Sequence, residues 1–495
     1  MRTLSHNGNR CHVDVNVIKP VLRAYALGYL TATGPRLFGF LRTLRRPDVS
    51  TSDKLDMLYM ILKTSTQPNK LPTAGAVIVG GATVLPRLIL NVLQWVVSTL
   101  RGNKSLKLGE AFNARLSFAC TFLSAWLAFE LLNRDQAWVR KRAPSRSAAD
   151  VDISSLESPR RLHPPPPSSH PQYAGKTVDL TLFVLCRAID VAMITMWQST
   201  RSSPWHPERW TPRMASFVRR MADPATFATS SAIIMWAWFY SPQRLPRAYN
   251  HWISEAAAVD DRLIKALRLA RQGDFVYGQE TGQGPLLESL CKDLNLPEDY
   301  GDPAKTIPIP CEVYHCGRAK SCEVHAGKRF LHGWKFAMEL YLPLQLLTRI
   351  RSPTVKSFMA SFKAAARSSS FLAAFIAIFY YSVCLARTRL GPKVFSYKTV
   401  TPQMWDSGLC VLAGCLACGW SILLEKPSRR QEIAFFVAPR AMATLLPRVY
   451  DKRYRLREQL VFATSVAVVL STIKVGNEKR VRGVFGRILS RVLKE

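Results

Sequence analysis

Acidic residues are scarce in this chain of 495 residues. Asp and Glu together number 34 against 68 Lys and Arg, which gives a formal net charge of +34. Such an excess is typical of proteins that meet nucleic acid or an anionic membrane surface, and of membrane proteins with basic loops. The basic residues interrupt long apolar segments, and the aromatic residues lie within those segments. Since nucleic-acid binding needs a basic face with exposed aromatics, we expect no nucleic-acid partner.

The common catalytic and cofactor-binding motifs are also missing. The chain has no Walker loop, no G-x-S-x-G elbow and no H-E-x-x-H pair, and AVIVGGATV at 76–84 lacks the G-x-G-x-x-G order. We therefore expect that the protein is not an enzyme and binds no cofactor. The amino-terminal segment MRTLSHNGNRCHVDV lacks the apolar core of a secretory signal, so we expect no cleaved signal peptide.

Long apolar runs are what the sequence has instead. A helix needs about 20 residues to cross the hydrocarbon core of a membrane, and eight runs approach that length, with Trp and Tyr near their ends. The runs are 75–97, 114–132, 178–197, 225–240, 369–386, 408–425, 431–447 and 459–475. The sequence predicts an all-α, polytopic membrane protein with about eight spans. For any single run, a buried helix of a soluble protein is the alternative.

Internal similarity predicts that the eight spans form two tandem four-helix transmembrane repeats. Three pairs of segments match: FATS at 227–230 with FATS at 462–465, LFVLCRA at 182–188 with FFVAPRA at 435–441, and FELLNR at 129–134 with LLEKPSR at 423–429. Because each copy has an even number of spans, both copies would enter the membrane from the same side, as parallel repeats. The longest basic stretches lie on the side of the termini, which suggests that this side faces the cytosol.

The repeat gives the expected domain organisation. An amphipathic lead-in at 1–74 precedes a first four-span unit at 75–240, which contains a Pro/Ser/Arg-rich, disordered loop at 141–176. A connector at 241–310 carries an amphipathic helix, and 311–368 holds a Cys/His-rich segment and a second amphipathic lead-in. A second four-span unit at 369–475 and a basic tail at 476–495 complete the chain.

Small residues recur four apart in the second predicted span of each half. They are Cys120, Ser124 and Ala128 in the first half, and Gly414, Cys415, Cys418 and Gly419 in the second. Rows of small residues let helices approach closely in lipid. We interpret these positions as helix-packing positions and not as reactive or metal-bound thiols, because no charged residue stands near the cysteines.

Ionisable residues stand inside or at the ends of several predicted spans. They are Glu130, Arg134, Arg187, Asp190, Glu425, Arg429 and Arg440. One interpretation is that they form ion pairs at helix ends, spaced four apart on one face, with arginines that reach the membrane interface. The other is that they line a polar path between the halves, in which two matching arginines, Arg187 and Arg440, contact an anionic head group.

A dense Cys/His segment, CEVYHCGRAKSCEVH, occupies residues 311–325. Its candidate ligands are Cys311, His315, Cys316, Cys322 and His325. Zinc takes ligands of this kind, but the spacing matches no zinc-finger pattern and contains no CxxC pair. We expect no metal here and a packed or exposed loop. A disulfide, or a metal loop formed by the first four of these residues, is the alternative.

The second half resembles the transmembrane protein 135 family over about 160 residues. The resemblance rests on Cys311 to Cys322, on FAMELYLPLQLL at 336–347, on ARSSSFLAAFIAIFYYSVCLART at 366–388, and on ILLEKPSRRQEIAFFVAPRAMATLLPR at 422–448, whose EKPSRR resembles the family's E-K-x-S-R-R signature. The family is a set of multi-pass proteins of peroxisomes and mitochondria, linked to lipid handling and organelle dynamics. It is distantly related to the Tim17/Tim22/Tim23 and small peroxisomal membrane protein group, whose unit has four spans.

This resemblance implies a function in the peroxisomal membrane, or second, in a mitochondrial membrane. We expect transport of lipids or fatty-acid metabolites, with membrane lipids and anionic lipid metabolites as partners and with self-association through the small-residue faces. Two alternatives stand beside it. One is a scaffold that does not transport and recruits organelle-division or import partners, and the other is a Tim17-like translocase or pore component.

Overall fold

The computed structural model describes residues 15–44, 50–101, 109–134, 177–202, 211–350, 354–396, 398–446 and 452–494. Over these ranges the chain is all-helical and contains no strand, which confirms the predicted fold class at the level of secondary structure. The predicted loop at 141–176 lies outside the described residues.

The principal helices are numbered in chain order. They are α1 (Val15–Leu44), α2 (Thr51–Ser65), α3 (Leu71–Arg101), α4 (Glu110–Asn133), α5 (Thr177–Ser202), α6 (Pro212–Tyr240), α7 (Arg247–Ala257), α8 (Asp261–Gln272), α9 (Gly284–Asp293), α10 (Cys322–Leu347), α11 (Val355–Cys384), α12 (Cys410–Cys418), α13 (Pro427–Leu445), α14 (Arg455–Lys474) and α15 (Gly483–Leu493). Single helical turns, among them Cys311–Tyr314, join several of them.

Within the described residues, six helical segments are long and apolar enough to cross a membrane. They are Leu71–Leu100, Ala111–Asn133, Thr177–Gln198, Val355–Val394, Pro402–Leu424 and Arg455–Lys474. The predicted spans at 225–240 and 431–447 lie in α6 and α13 and are not among the six. Both helices carry several charged residues, which shortens their apolar part below the length of a full crossing.

The chain divides into two compact units that differ from the predicted domains. The first unit combines Met1–His206 with Arg448–Glu495, and the second is Pro207–Pro447. In the first unit, α3 packs on α1 and α4, while α14 packs on α4 and α5. Its core contains Phe129 and Phe462, whose ring centroids are 5.7 Å apart, together with Val184 and Leu470.

In the second unit, the long helix α11 packs on α10 and α12, while α6 packs on α12 and α13. Its main core surrounds Phe239 and Phe379, which stack with ring centroids 5.4 Å apart. The connector helices α7 and α8 join this core through Ile253 and Leu267. The amphipathic connector predicted at 241–310 therefore contains three short helices, α7, α8 and α9, and each contributes buried apolar residues to this core.

The two helices that contain the FATS motif do not belong to the units predicted for them. Helix α6, with the first FATS, belongs to the unit formed by the second half of the chain, and α14, with the second FATS, belongs to the unit formed by the first half. In both helices the motif is buried: Phe227 and Ala228 in α6, Phe462 and Ala463 in α14. The apolar face of each helix finds its partners in the other half, so the boundaries at 75–240 and 369–475 do not coincide with the compact units.

Small residues lie where helices approach most closely. A Cβ on Gly419 would stand 2.5 Å from the Cα of Ala228 in α6, and one on Gly414 would stand 2.9 Å from the Phe379 ring. The other predicted packing positions are buried as well: Cys120, Ser124, Ala128, Cys415 and Cys418. The four cysteines at 120, 410, 415 and 418 are free thiols.

Candidate functional site

The Cys/His-rich segment folds into a tight loop at one end of α11. Cys311 begins a single helical turn, and Cys316 and Gly317 both adopt positive φ angles, which reverses the chain and brings Cys322 back at the start of α10. The ligand atoms of Cys311, His315 and Cys322 lie within 4.8 Å of one another. Three of the four residues predicted as a disulfide or metal loop therefore converge.

A residue that the sequence did not single out completes this cluster. The thiol of Cys384, the last residue of α11, lies 3.4 Å from Nε2 of His315 and within hydrogen-bond reach of Cys311 and Cys322. The three cysteines of the cluster are free thiols, and the His315 side chain is fully buried. Cys384 is 62 positions beyond Cys322 and stands within an apolar run, so no spacing rule could have associated it with the loop.

The protonation states in the cluster are set by hydrogen bonding and burial. The hydrogen bond from Cys384, opposed by burial and aided by the nearby charge of Arg387, lowers the pKa of the Cys311 thiol to about 5. Burial raises the pKa of the Cys322 thiol. Since Nδ1 of His315 donates to the Ala319 carbonyl at 2.7 Å, the lone pair of its imidazole is on Nε2, which faces Cys384.

The fourth predicted ligand, Cys316, is not part of the cluster; its thiol contacts the Tyr314 carbonyl at 4.0 Å. His325 lies behind the cluster, where its ring stacks on His315 with centroids 4.3 Å apart. Burial and nearby cationic residues lower the pKa of His325 to about 3, so this ring is neutral at pH 7. The His325 ring therefore stacks face to face on the His315 ring.

A buried ion pair lies beside the cluster. Arg387 donates to both carboxylate oxygens of Asp406, through Nε at 2.5 Å and Nη2 at 2.9 Å. The hydroxyls of Tyr314 and Tyr277 donate to the same carboxylate, and the Tyr314 ring lies 4.1 Å from the Arg387 guanidinium carbon. Both charged side chains are about 2% exposed, so the loop and two helical segments are tied to one buried charge network.

Each partner of this ion pair stands in a turn of π-helix. Arg387 lies in Leu385–Arg389, directly after α11, and Asp406 lies in Trp405–Leu409, directly before α12. Single π-helical turns in otherwise α-helical segments are frequent at functional sites, since they re-aim a side chain. Here they aim the two charges at each other. This pair was not predicted from the sequence, because its two residues stand 19 apart in two different helical segments.

The charged residues predicted to line a path fall into separate local networks. In the first unit, Arg482 donates to Asp190 through Nε at 3.1 Å, and Arg187 donates to the Arg482 carbonyl at 3.2 Å. The Arg187 guanidinium carbon also lies 5.5 Å from the ring centroids of both Phe183 and Phe485. Arg187 and Asp190 are buried inside α5, one of the six candidate spans.

The two predicted Glu/Arg pairs behave differently. Glu130 pairs with Arg455 at the start of α14. Glu425 is buried and lies 3.7 Å from Nη1 of Arg429, but it stands in extended backbone before α13 begins. The Glu425–Arg429 contact is thus made across a helix start and not along one helical face. A single hydroxyl, that of Ser368 in α11, hydrogen-bonds to both of these residues.

Arg440 and Arg134 are the remaining residues of the predicted path. Arg440 lies over the ring of its own helix neighbour Phe436, at 3.6 Å, and donates to the Phe436 carbonyl. Arg134 follows the last residue of α4 and is exposed. Arg440 belongs to the second unit and Arg187 to the first.

Comparison with known proteins gives no match: no family model, no curated protein and no solved structure corresponds to this chain. The resemblance to the transmembrane protein 135 family therefore stays a prediction from the sequence.

Proposed function

We propose that the chain is an integral membrane protein built from two fused four-span repeats that exchange their fourth helices. In this proposal α3, α4, α5 and α14 form one bundle, and α11, the segment of α12, α13 and α6 form the other. Support comes from the six long apolar helices and from the burial of both FATS motifs in corresponding helices. The remaining two spans are α6 and α13, whose charged ends would lie at the membrane interface.

We propose further that this protein moves lipids or fatty-acid metabolites across an organelle membrane. The observation that carries this proposal is the burial of ionisable side chains inside an apolar helix: Arg187 is 4% exposed and Asp190 8%. Charged groups within membrane spans are costly and mark substrate pathways more often than they mark packing. A guanidinium held between two aromatic rings suits the carboxylate or phosphate of an amphiphile.

The expected partners follow from this assignment. The substrate is an anionic lipid or fatty-acid metabolite, and Arg440, at the corresponding place in the second repeat, is the second anion contact. The excess of basic residues favours an anionic membrane surface around the protein. Self-association through faces rich in small residues is part of the same proposal.

A flux assay tests the transport proposal. The purified chain is reconstituted into vesicles, and the entry of a fluorescent fatty acid is compared among wild type, Arg187→Gln, Arg440→Gln and the double variant. We expect flux to fall in each variant and most in the double variant. Arg349→Gln, which removes an exposed arginine outside the candidate spans, is the control. Unchanged flux in the double variant, at equal protein per vesicle, would disprove the anion path.

A membrane scaffold is the second candidate function, and the composition of the loop at 141–176 favours it. The loop is rich in Pro, Ser and Arg and has little to bury, as is typical of segments that capture partners. If the protein recruits organelle-division or import partners through this loop, deletion of 141–176 abolishes co-purification of those partners and leaves lipid flux unchanged. Loss of flux on deletion, with partners retained, would exclude the scaffold function.

The peroxisomal membrane is the proposed location, with a mitochondrial membrane second. Density-gradient fractionation of cells that carry a tagged chain, next to peroxisomal and inner-mitochondrial markers, tests this proposal. Migration with peroxisomes agrees with a lipid-metabolite carrier. Migration with the inner mitochondrial membrane contradicts the first location and favours the Tim17-like translocase component instead.

A further inference from the structure

We propose that Cys311, His315, Cys322 and Cys384 bind one Zn²⁺ ion in a closed tetrahedral site that fastens the Cys/His loop to the end of α11. The proposal reverses the expectation of no metal that the spacing of 311–325 suggested. It does not rest on the proposed transport function, since it uses none of the residues of the proposed anion path.

The four side chains match a structural zinc site in the number and kind of their donors. Structural zinc sites are four-coordinate and take cysteine thiolates and histidine, with three cysteines and one histidine as a common set. Three of the donors lie within 4.8 Å of one another, and the fourth, Cys384, lies 3.4 Å from Nε2 of His315. A disulfide would use two of the three thiols and leave the third thiol and the imidazole unexplained.

The spacing of the donors is close to that of a zinc site. With zinc–sulfur bonds of about 2.3 Å, neighbouring donors of a tetrahedral site stand about 3.8 Å apart. Cys384 lies 3.4 Å from Nε2 of His315, and the other three donors lie within 4.8 Å of one another. A movement of the thiols by up to about 1 Å, which side-chain rotation supplies, brings all four donors to this spacing.

His315 is already oriented as a zinc ligand would be. Zinc-bound histidines generally donate their second ring N–H to a carbonyl or carboxylate, which fixes the ring and the ligating nitrogen. His315 does this already: Nδ1 donates to the Ala319 carbonyl at 2.7 Å, and Nε2 faces the thiols. The ring is fully buried and is further held by stacking on His325.

Three thiolates and a neutral imidazole on Zn²⁺ carry a net charge of −1, so a hydrogen-bond donor beside the site stabilises it. Arg387 stands three residues beyond Cys384, and among the described residues its buried Nη1 has no hydrogen-bond partner. Because its charge is already paired with Asp406, the guanidinium offers the cluster a spare donor and not an uncompensated cation.

The proposed site is closed. All four coordination positions come from the protein, so no position is open for water or substrate, and the ion acts as a structural cross-link. It would join the loop, α10 and α11, which are also tied on the outside by the exposed Glu323–Arg389 ion pair. Metal binding of this kind adds its free energy to folding.

Metal analysis of the purified full-length chain tests the proposal. The protein is expressed with zinc available, purified in detergent without chelators, and analysed by mass spectrometry for metals. We expect one zinc ion per chain in wild type and loss of the ion in Cys384→Ser. Cys316→Ser, which removes a cysteine of the same loop that is outside the cluster, should retain it. Zinc lost equally in both variants, or absent from wild type, would overturn the assignment.

A second measurement keeps the test decisive if Cys384→Ser does not fold. Wild-type protein depleted of metal is titrated with Co²⁺, and we expect the intense visible absorption of tetrahedral cobalt–thiolate coordination. His315→Cys should retain metal with an altered spectrum, because a four-thiolate site replaces the mixed one. Absence of cobalt absorption in wild type, iron in place of zinc, or a Cys311–Cys384 disulfide in alkylated fresh protein would each refute the zinc site.

Discussion

The buried pair of Arg387 and Asp406 gives the sharpest test of the second unit. The Asp406→Ala substitution removes a carboxylate that accepts hydrogen bonds from Arg387, Tyr277 and Tyr314 and leaves a guanidinium that is about 2% exposed without its counter-charge. Breaking a buried pair in this way costs about 3–5 kcal/mol. For a unit of this size, each kcal/mol lowers the unfolding midpoint by about 2–4 °C, so we expect a decrease of about 6–20 °C.

The assay is thermal unfolding of the detergent-solubilised chain, followed by tryptophan fluorescence. The double variant Arg387→Met with Asp406→Leu should recover part of the loss, since it leaves no buried charge, although the hydroxyls of Tyr277 and Tyr314 lose their acceptor. Glu323→Ala is the control, because it breaks an ion pair whose side chains are about half exposed and which therefore contributes little to stability. If Asp406→Ala lowers the midpoint no more than Glu323→Ala does, the buried network does not stabilise the fold as argued.

Two further predictions concern helix packing and helix capping. Gly419→Ala should destabilise the chain by about 1–3 kcal/mol because the new Cβ would stand 2.5 Å from the Cα of Ala228, while Gly327→Ala, with open space around it, should not; equal thermal midpoints would contradict the close approach. Asp260 caps α8 by accepting from the Arg262 N–H, and hydrogen bonds from Arg262 lower its pKa. The cap contributes about 1 kcal/mol to the free energy of unfolding above about pH 4, and this contribution is lost as the pH falls through the lowered pKa. The stability of Asp260→Ala should therefore fall less than that of the wild type as the pH is lowered.

The predictable part of the fold is the part that depends on local composition. Apolar run length located the candidate spans, and periodic small residues located the close contacts at Gly414 and Gly419, because both signals are properties of one helix. The two spans with charged ends, α6 and α13, fell short of a full crossing for the same local reason. Which helix packs on which depends on long-range complementarity, and the repeat could not show that α6 and α14 would each complete the unit of the other half.

The candidate zinc site shows why the functional residues were harder to predict than the helices. The sequence of 311–325 displays five donor side chains in a pattern that matches no zinc finger; only three of them converge, and the fourth ligand lies outside the segment. The fourth donor, Cys384, is the last residue of α11, and it lies beside the loop because α11 packs against α10. In the sequence, Cys384 looks like one more small apolar residue of a predicted span. A site assembled across α10 and α11 requires their packing to be known first, and once it is known, the donors, the fixed histidine and the adjacent Arg387 all favour the same ion.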